Sequence, residues 1–375
     1  MRGESTKEIG LGVIGCGGFG LFALQQFTQV PGVKLLGMAG THRPAAAAAA
    51  KRFGVPDIEE IDALLARDDI DMVYLATPPF LHFSQTMKAL AAGKHVLCEK
   101  PLAMNVAEAE AMVQSARTRD LLLVANLMQR YNPLVDAVKE VVTSRVLGEF
   151  LHGSFENNAS DEGLNEEHWF WDRSKSGGIF IEHGVHFFDL FAGWFGPGAV
   201  ECAQVGVRPG TDIEEHVACS ARFGDTGLVH FYHGFHQAGR MDRQQMRLVF
   251  ERGDITLQEW VPTRAKVHAL ANEEQTRALC AMFPGARLDV TVGYGAKDRS
   301  CSGRGRSIDA YQQIELTHGE GRNKGHLYGD LLRALMADQL AWVRDRGHVR
   351  KVTEQNGLDS LVMACDADRL AHRES

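Results

Sequence analysis

Between residues 9 and 125, short apolar runs alternate with helical stretches, and this alternation constrains the fold more than any other feature. IGLGVI (9–14), VKLLGMAG (33–40), Met72–Ala76, His95–Cys98 and Leu121–Ala125 read as buried strands. Between them lie LFALQQFTQV, AAAAAAKRFG and helix-like stretches near 82–92 and 106–118. Strands joined through helices of this length build parallel β–α–β units, so the fold class is α/β with a doubly wound sheet.

The first apolar run ends in Gly15-Cys16-Gly17-Gly18-Phe19-Gly20. A G-x-G-x-x-G string alone says little, because glycines are common in turns. Here it follows a predicted strand and opens a predicted helix, the setting a dinucleotide site requires. Gly15 permits the tight turn, Gly17 lets a pyrophosphate approach the backbone, and Gly20 lets helix pack on strand. The helix N-terminus then faces the phosphates.

The end of the second strand bears on which nucleotide binds. NAD-selective folds place an Asp or Glu there for the ribose 2′-hydroxyl, about 20 residues after the glycines. This chain reads Ala39-Gly40-Thr41-His42-Arg43, without a carboxylate. Thr41 can donate a hydrogen bond and Arg43 a charge-assisted one, so NADP(H) is favoured and NAD(H) is the alternative.

Composition narrows the partners. Lys plus Arg (40) against Asp plus Glu (48) leaves a formal charge of −8, which argues against a nucleic-acid or membrane-surface binder. With 45% hydrophobic residues the 375-residue chain can bury a sizeable core, and its length suggests two domains. The seven scattered cysteines include no C-x-x-C pair, the pattern of reduced thiols in a cytoplasmic protein. MRGESTKEIG carries charges where a signal peptide needs an apolar stretch, and no apolar run approaches a bilayer span. Histidine is the unusual component. Of 16, eight (His152, His168, His183, His186, His216, His230, His233, His236) fall within 85 residues in mid-chain.

Further strings follow: Ala76-Thr77-Pro78-Pro79 with His82, Cys98-Glu99-Lys100-Pro101, Gln129-Arg130-Tyr131-Asn132-Pro133, and Ser176-Gly177-Gly178 through Glu182, His183, His186 and Asp189. Together they resemble the glucose–fructose oxidoreductase / inositol dehydrogenase / rhizopine-catabolism (Gfo/Idh/MocA) family, closely over residues 9–200 and by general pattern beyond. The resemblance implies an N-terminal Rossmann dinucleotide-binding domain (1–130). It also implies a C-terminal α/β domain (131–375) with a large open, mainly antiparallel sheet that binds substrate and builds a homodimer or homotetramer. The implied reaction is reversible hydride transfer between a nicotinamide and a hydroxyl-bearing carbon of a sugar, cyclitol or related polyol.

The same resemblance assigns the site. His186 takes the place of the catalytic histidine, an imidazole able to exchange the alcohol proton near neutral pH. Lys100 is expected to polarise the reacting oxygen, its direction helped by the following proline. Glu182, where the family commonly has Asp, lies four residues before His186; a continuous helix would put both on one face, the carboxylate orienting the imidazole or binding a substrate hydroxyl. Asp189 reads as structural. Cys16, Gly18, Phe19, Thr77, Pro78, His82, Glu99 and Lys100 join the glycines, Thr41, His42 and Arg43 as cofactor-binding candidates. His168, Trp171 and His183 join Lys100, Glu182 and His186 on the substrate side, with Trp169 beside them.

No metal is expected. Glu182 and His183 would point about 100° apart on a helix. On a strand, His230 and His236 would face one side and His233 the other. Residues 292–307, rich in Gly, Ser and Arg, read as a mobile loop. Two other functions share these motifs: a glycosidase using transient oxidation with tightly held NAD, and a non-catalytic dinucleotide sensor. A sensor has no need of both Lys100 and His186.

Overall fold

The computed structural model describes residues 8–40, 42–58, 60–225, 227–319 and 323–373. The first strands and helices are β1 (Ile9–Ile14), α1 (Gly18–Phe27), β2 (Val33–Ala39), α2 (Arg43–Phe53), α3 (Ile61–Leu65) and β3 (Met72–Leu75). There follow α4 (His82–Ala91), β4 (His95–Cys98), α5 (Val106–Thr118), β5 (Leu123–Ala125), α6 (Pro133–Ser144), β6 (Phe150–Ser160), α7 (Arg173–Ser176) and α8 (Val185–Phe195). The remainder comprises β7 (Gly198–Val207), β8 (Glu214–Phe223), β9 (Gly227–Gln237), β10 (Arg243–Phe250), β11 (Gly253–Gln258), β12 (Arg264–Ala271), α9 (Glu273–Met282), β13 (Arg287–Gly293), β14 (Ser300–Gly303), β15 (Arg306–Asp309), β16 (Gln312–His318), α10 (Lys324–Arg344) and α11 (Glu354–Ala371). No helix among the described residues is long and apolar enough to cross a membrane.

The chain divides into two compact units. One holds residues 1–128, 167–189 and 328–365; the other holds 129–166, 190–327 and 366–375. The segment with Glu182 and His186 thus returns to the unit that carries the glycine motif.

In the first unit, five parallel strands are ordered β2-β1-β3-β4-β5. Connections run in opposite directions from β1, so β1 and β3 flank the switch point where open α/β sheets bind ligands. Every residue of β1 and β3 is buried, as expected of strands covered on both faces. Helix ends follow local chemistry: His42 and Asn105 cap α2 and α5, and Gly54 closes α2 in the left-handed region.

The second unit is built on a nine-stranded sheet, β13-β16-β12-β11-β10-β6-β9-β8-β7. Its pairs are antiparallel except β6 with β9. Alternation gives it one apolar face, with Phe155, Val217, Phe231, Met246, Leu248, Leu257 and Val267 buried. Phe191 of α8 packs edge-on against Phe231 at 5.0 Å, and the Trp194 indole donates to the Val135 carbonyl at 3.0 Å. Each such aromatic contributes roughly 1.5–3 kcal/mol by burial. The opposite face is polar and carries His152, His216, His230 and His236, while His233 lies fully buried against Phe155.

Residues 292–307, expected as a loop, hold the end of β13, all of β14 and the start of β15, which pairs with β14 as a hairpin. Its turn, Arg304-Gly305, has both residues at positive φ, which suits the right-handed twist of paired strands. Arg304 pairs with Glu149 and Glu251, and Arg306 also reaches Glu251. The hairpin strands carry little apolar alternation, so nothing in composition announces them.

Candidate active site

The carboxyl ends of β1 and β3 open into a cavity of about 600 Å³ within the first unit. Gly15 through Gly20 form one wall, and Gly40, His42 and Ala45 another. Ala76, Thr77 and Pro78 follow β3, Glu99 and Lys100 follow β4, and His168, Trp169 and Glu182 complete the lining.

The glycines fit a dinucleotide cradle. Gly15 has φ +104°, and a side chain on it would strike the Ala76 carbonyl at 2.5 Å. A Cβ on Gly20 would come within 2.5 Å of the Ala76 Cβ, so close helix–strand packing excludes one. Gly18, by contrast, faces open space. No side chain caps the N-terminus of α1 and its first turn holds no acidic residue, which suits an incoming phosphate.

Lys100 and Glu182 meet in this cavity. The Lys100 ammonium donates to Glu182 Oε1 at 2.5 Å and to the Glu182 carbonyl at 2.9 Å. Residues 180–184 form a π-helical turn before α8 begins, so the continuous helix expected over 180–194 is interrupted. A π turn leaves carbonyls less regularly paired than an α turn, and Lys100 occupies one of them. The Glu182 carboxylate, expected to orient His186 or to bind a substrate hydroxyl, is paired with Lys100. His186 is 4% exposed, one helical turn further on, and its ring centroid lies 6.5 Å from that of His183.

Glu99 is buried. Its Oε1 accepts from the Tyr74 hydroxyl at 2.5 Å and from Asn126 Nδ2 at 2.8 Å. Burial raises its pKa, with those two donors and Lys100 acting in the opposite sense. Tyr328 packs on Phe19 at 5.5 Å, and burial, then the Glu99 and Glu182 charges, push its pKa well up. Tyr74, Asn126 and Tyr328 carry no motif, and each becomes visible only once the sheet is assembled.

Other candidates stand elsewhere. His82, expected at the cofactor, is fully buried behind the cavity wall; Nδ1 lies 2.7 Å from the Pro101 carbonyl and Nε2 2.8 Å from the Thr77 carbonyl. Trp169, rather than Trp171, lines the cavity, because Trp171 is turned edge-on against Phe170 at 4.8 Å. Arg43 is bonded to Asp57 at 2.7 Å, and Thr41 lies outside the described residues. His183 is half-buried against Phe187.

Among the described residues, Glu214, Asp368 and His372 of the second unit have ligand atoms close enough for a metal ion. Glu214 lies 3.6 Å from Nε2 of His372 and Asp368 3.4 Å from its Nδ1.

Two family models match the chain. Residues 9–127 match the oxidoreductase family with an NAD-binding Rossmann fold, and residues 135–256 match the GFO/IDH/MocA C-terminal domain. The chain belongs to the GFO/IDH/MocA family. A dTDP-3,4-didehydro-2,6-dideoxy-alpha-D-glucose 3-reductase of Streptomyces violaceoruber is 36% identical over 147 residues, 39% of this chain and 43% of that protein. The chain thus matches less than half the length of this GFO/IDH/MocA relative. Among solved structures, levoglucosan dehydrogenase with NADH and levoglucosan has a TM-score of 0.76 at 19% identity, covering 98% of both chains. KijD10, a 3-ketoreductase from Actinomadura kijaniata with TDP-benzene and NADP, has a TM-score of 0.70 at 20% identity, covering 96% of this chain and 97% of that one. These solved structures share the fold of this chain.

Proposed function

We propose that the protein is an NAD(P)-dependent oxidoreductase acting on a hydroxyl-bearing carbon of a sugar, cyclitol or sugar derivative, with NADP(H) the favoured cofactor. The observation that carries the reading is Lys100, an ammonium held by Glu182 on the wall of the glycine-lined cavity. A bound nicotinamide supplies the hydride acceptor or donor.

The chain's own groups handle oxygen and proton. Lys100 donates toward the reacting oxygen and stabilises negative charge as it develops. His186 takes the hydroxyl proton on oxidation and returns it on reduction. Glu182 keeps Lys100 aimed, and His168 and Trp169 offer a hydrogen-bonding and a stacking surface to a polyol. Relatives named as sugar reductases and a neighbour bound to levoglucosan support this substrate class. The absence of a carboxylate in the sequence that follows β2, with Arg43 there, supports NADP(H).

The test is a panel of sugars, cyclitols and sugar acids followed at 340 nm with both cofactors. Turnover of at least one polyol, lost in Lys100→Ala, is expected. No turnover of any member with either cofactor would overturn the reading. A kcat/KM higher with NAD(H) would remove the cofactor preference.

A further inference from the structure

A carboxylate is missing from the end of β2 in sequence, yet the fold brings one there. Residues 56–58 run beside the strand: Met38 N–H donates to the Pro56 carbonyl at 3.2 Å, and Ile58 N–H donates to the Met38 carbonyl at 2.8 Å. Asp57 forms a parallel bridge with Met38, one residue before the strand ends. Its carboxylate accepts from Arg43 Nη2 at 2.7 Å, and the Ile58 carbonyl accepts from Nη1 at 3.3 Å.

Both charges are felt at the glycine loop. Burial pushes the Cys16 thiol up, the Asp57 carboxylate pushes it further, and Arg43 pulls it back. His42 and Ala45, which flank the Arg43 position on α2, line the same cavity as Cys16.

We propose that Asp57 is a specificity-determining residue, which sets how far Arg43 favours a nucleotide bearing a 2′-phosphate. This deepens the NADP(H) reading above and rests on it. A guanidinium has five N–H donors, so Arg43 keeps donors to offer a phosphate while Asp57 holds it in place. The same carboxylate repels the phosphate and can accept from a ribose 2′-hydroxyl. The pair thus offers a cation to one nucleotide and an acceptor to the other, and Asp57 limits the preference for the first. Both side chains are partly exposed, at 38% and 26%, so they can rearrange around either ligand.

The experiment is equilibrium binding of NADP+ and NAD+ to the full chain by titration calorimetry. It compares wild type, Asp57→Asn, Asp57→Glu, Arg43→Ala and the Asp57→Asn/Arg43→Ala double variant. Asp57→Asn is expected to raise the NADP+ to NAD+ affinity ratio about tenfold, the scale of one charge-assisted contact. Asp57→Glu, which keeps the charge, should stay near wild type. Arg43→Ala should lower the ratio about tenfold, and the asparagine should still raise it in that background, by less than with the arginine present, because the direct repulsion remains to be removed. If Arg43→Ala lowers the ratio but Asp57→Asn leaves it unchanged, the role of Asp57 is wrong and the NADP(H) reading survives. If Arg43→Ala leaves the ratio unchanged, Asp57 has no arginine to act on and the proposal falls; a wild-type ratio favouring NAD+ would overturn the NADP(H) reading itself. Should Asp57→Asn fail to fold, a ratio in Asp57→Glu matching that of Arg43→Ala would equally overturn the proposal.

Discussion

The Lys100 ammonium and the Glu182 carboxylate stand 2.5 Å apart with their side chains only 17% and 10% exposed. Taking two charges this far from water costs several kcal/mol for each, and only close contact offsets it. The Glu182 carbonyl gives Lys100 a second acceptor at 2.9 Å. The pair is therefore a unit, in which removing either member strands the other.

That unit predicts a pattern in stability. Lys100→Met and Glu182→Gln should each destabilise the protein by about 3 kcal/mol, and the double variant should be less destabilised than the two effects added. Denaturant melts of the four proteins measure this. Strict additivity would show that the two charges do not depend on one another.

Activity should divide differently. Lys100→Ala and His186→Ala are each expected to lower kcat by roughly 10²- to 10⁴-fold, because each removes a group that acts on the reacting oxygen or its proton. Nucleotide affinity should change little, since the phosphates are expected at the glycine loop. Fluorescence titration alongside steady-state kinetics separates the two, and wild-type turnover in both variants would remove the assignment.

Much of this is readable in the sequence, for reasons the residues make plain. The glycine string and the Glu99-Lys100-Pro101 string are local, each tied to one strand end. Glu182 was legible as a site residue, but its partner was not, because helical spacing supposes an unbroken α-helix and residues 180–184 take a π turn. Asp57 was hidden for the opposite reason. It reaches the end of β2 through a bridge from a separate segment, and contacts made by pairing leave no periodic trace. The histidine excess separates by strand alternation: four on the polar face of the nine-stranded sheet, His233 in the core, and His168, His183 and His186 in the first unit.

His82 links the two loops that matter most. Its ring nitrogens face the carbonyls of Thr77 and Pro101, one residue beyond Lys100, and both contacts are hydrogen bonds only when both nitrogens carry hydrogen. Burial nevertheless holds its pKa below the ordinary histidine range, with the two carbonyls pulling the other way. His82→Phe should lower kcat about tenfold and stability by about 2 kcal/mol, the scale of orphaned buried carbonyls. His82→Gln, whose amide can donate to one of the two carbonyls, should recover part of each. If Phe and Gln behave alike in both measurements, the ring only fills space.

Acid should weaken the second unit through His233. Full burial lowers its pKa from the ordinary 6.5 to about 3, so the folded protein holds it neutral where an unfolded chain would protonate it. Below pH 6.5 the unfolded state therefore binds one more proton, and stability falls as pH drops toward 3. At about 1.4 kcal/mol per pH unit, the loss between pH 6.5 and 4 is about 3 kcal/mol from this residue. His233→Leu keeps a similar volume beside Phe155 and removes the titration. Thermal melts at pH 7, 5.5 and 4 should show a flatter decline for the leucine variant than for wild type. Equal slopes would mean that the acid sensitivity arises from other groups.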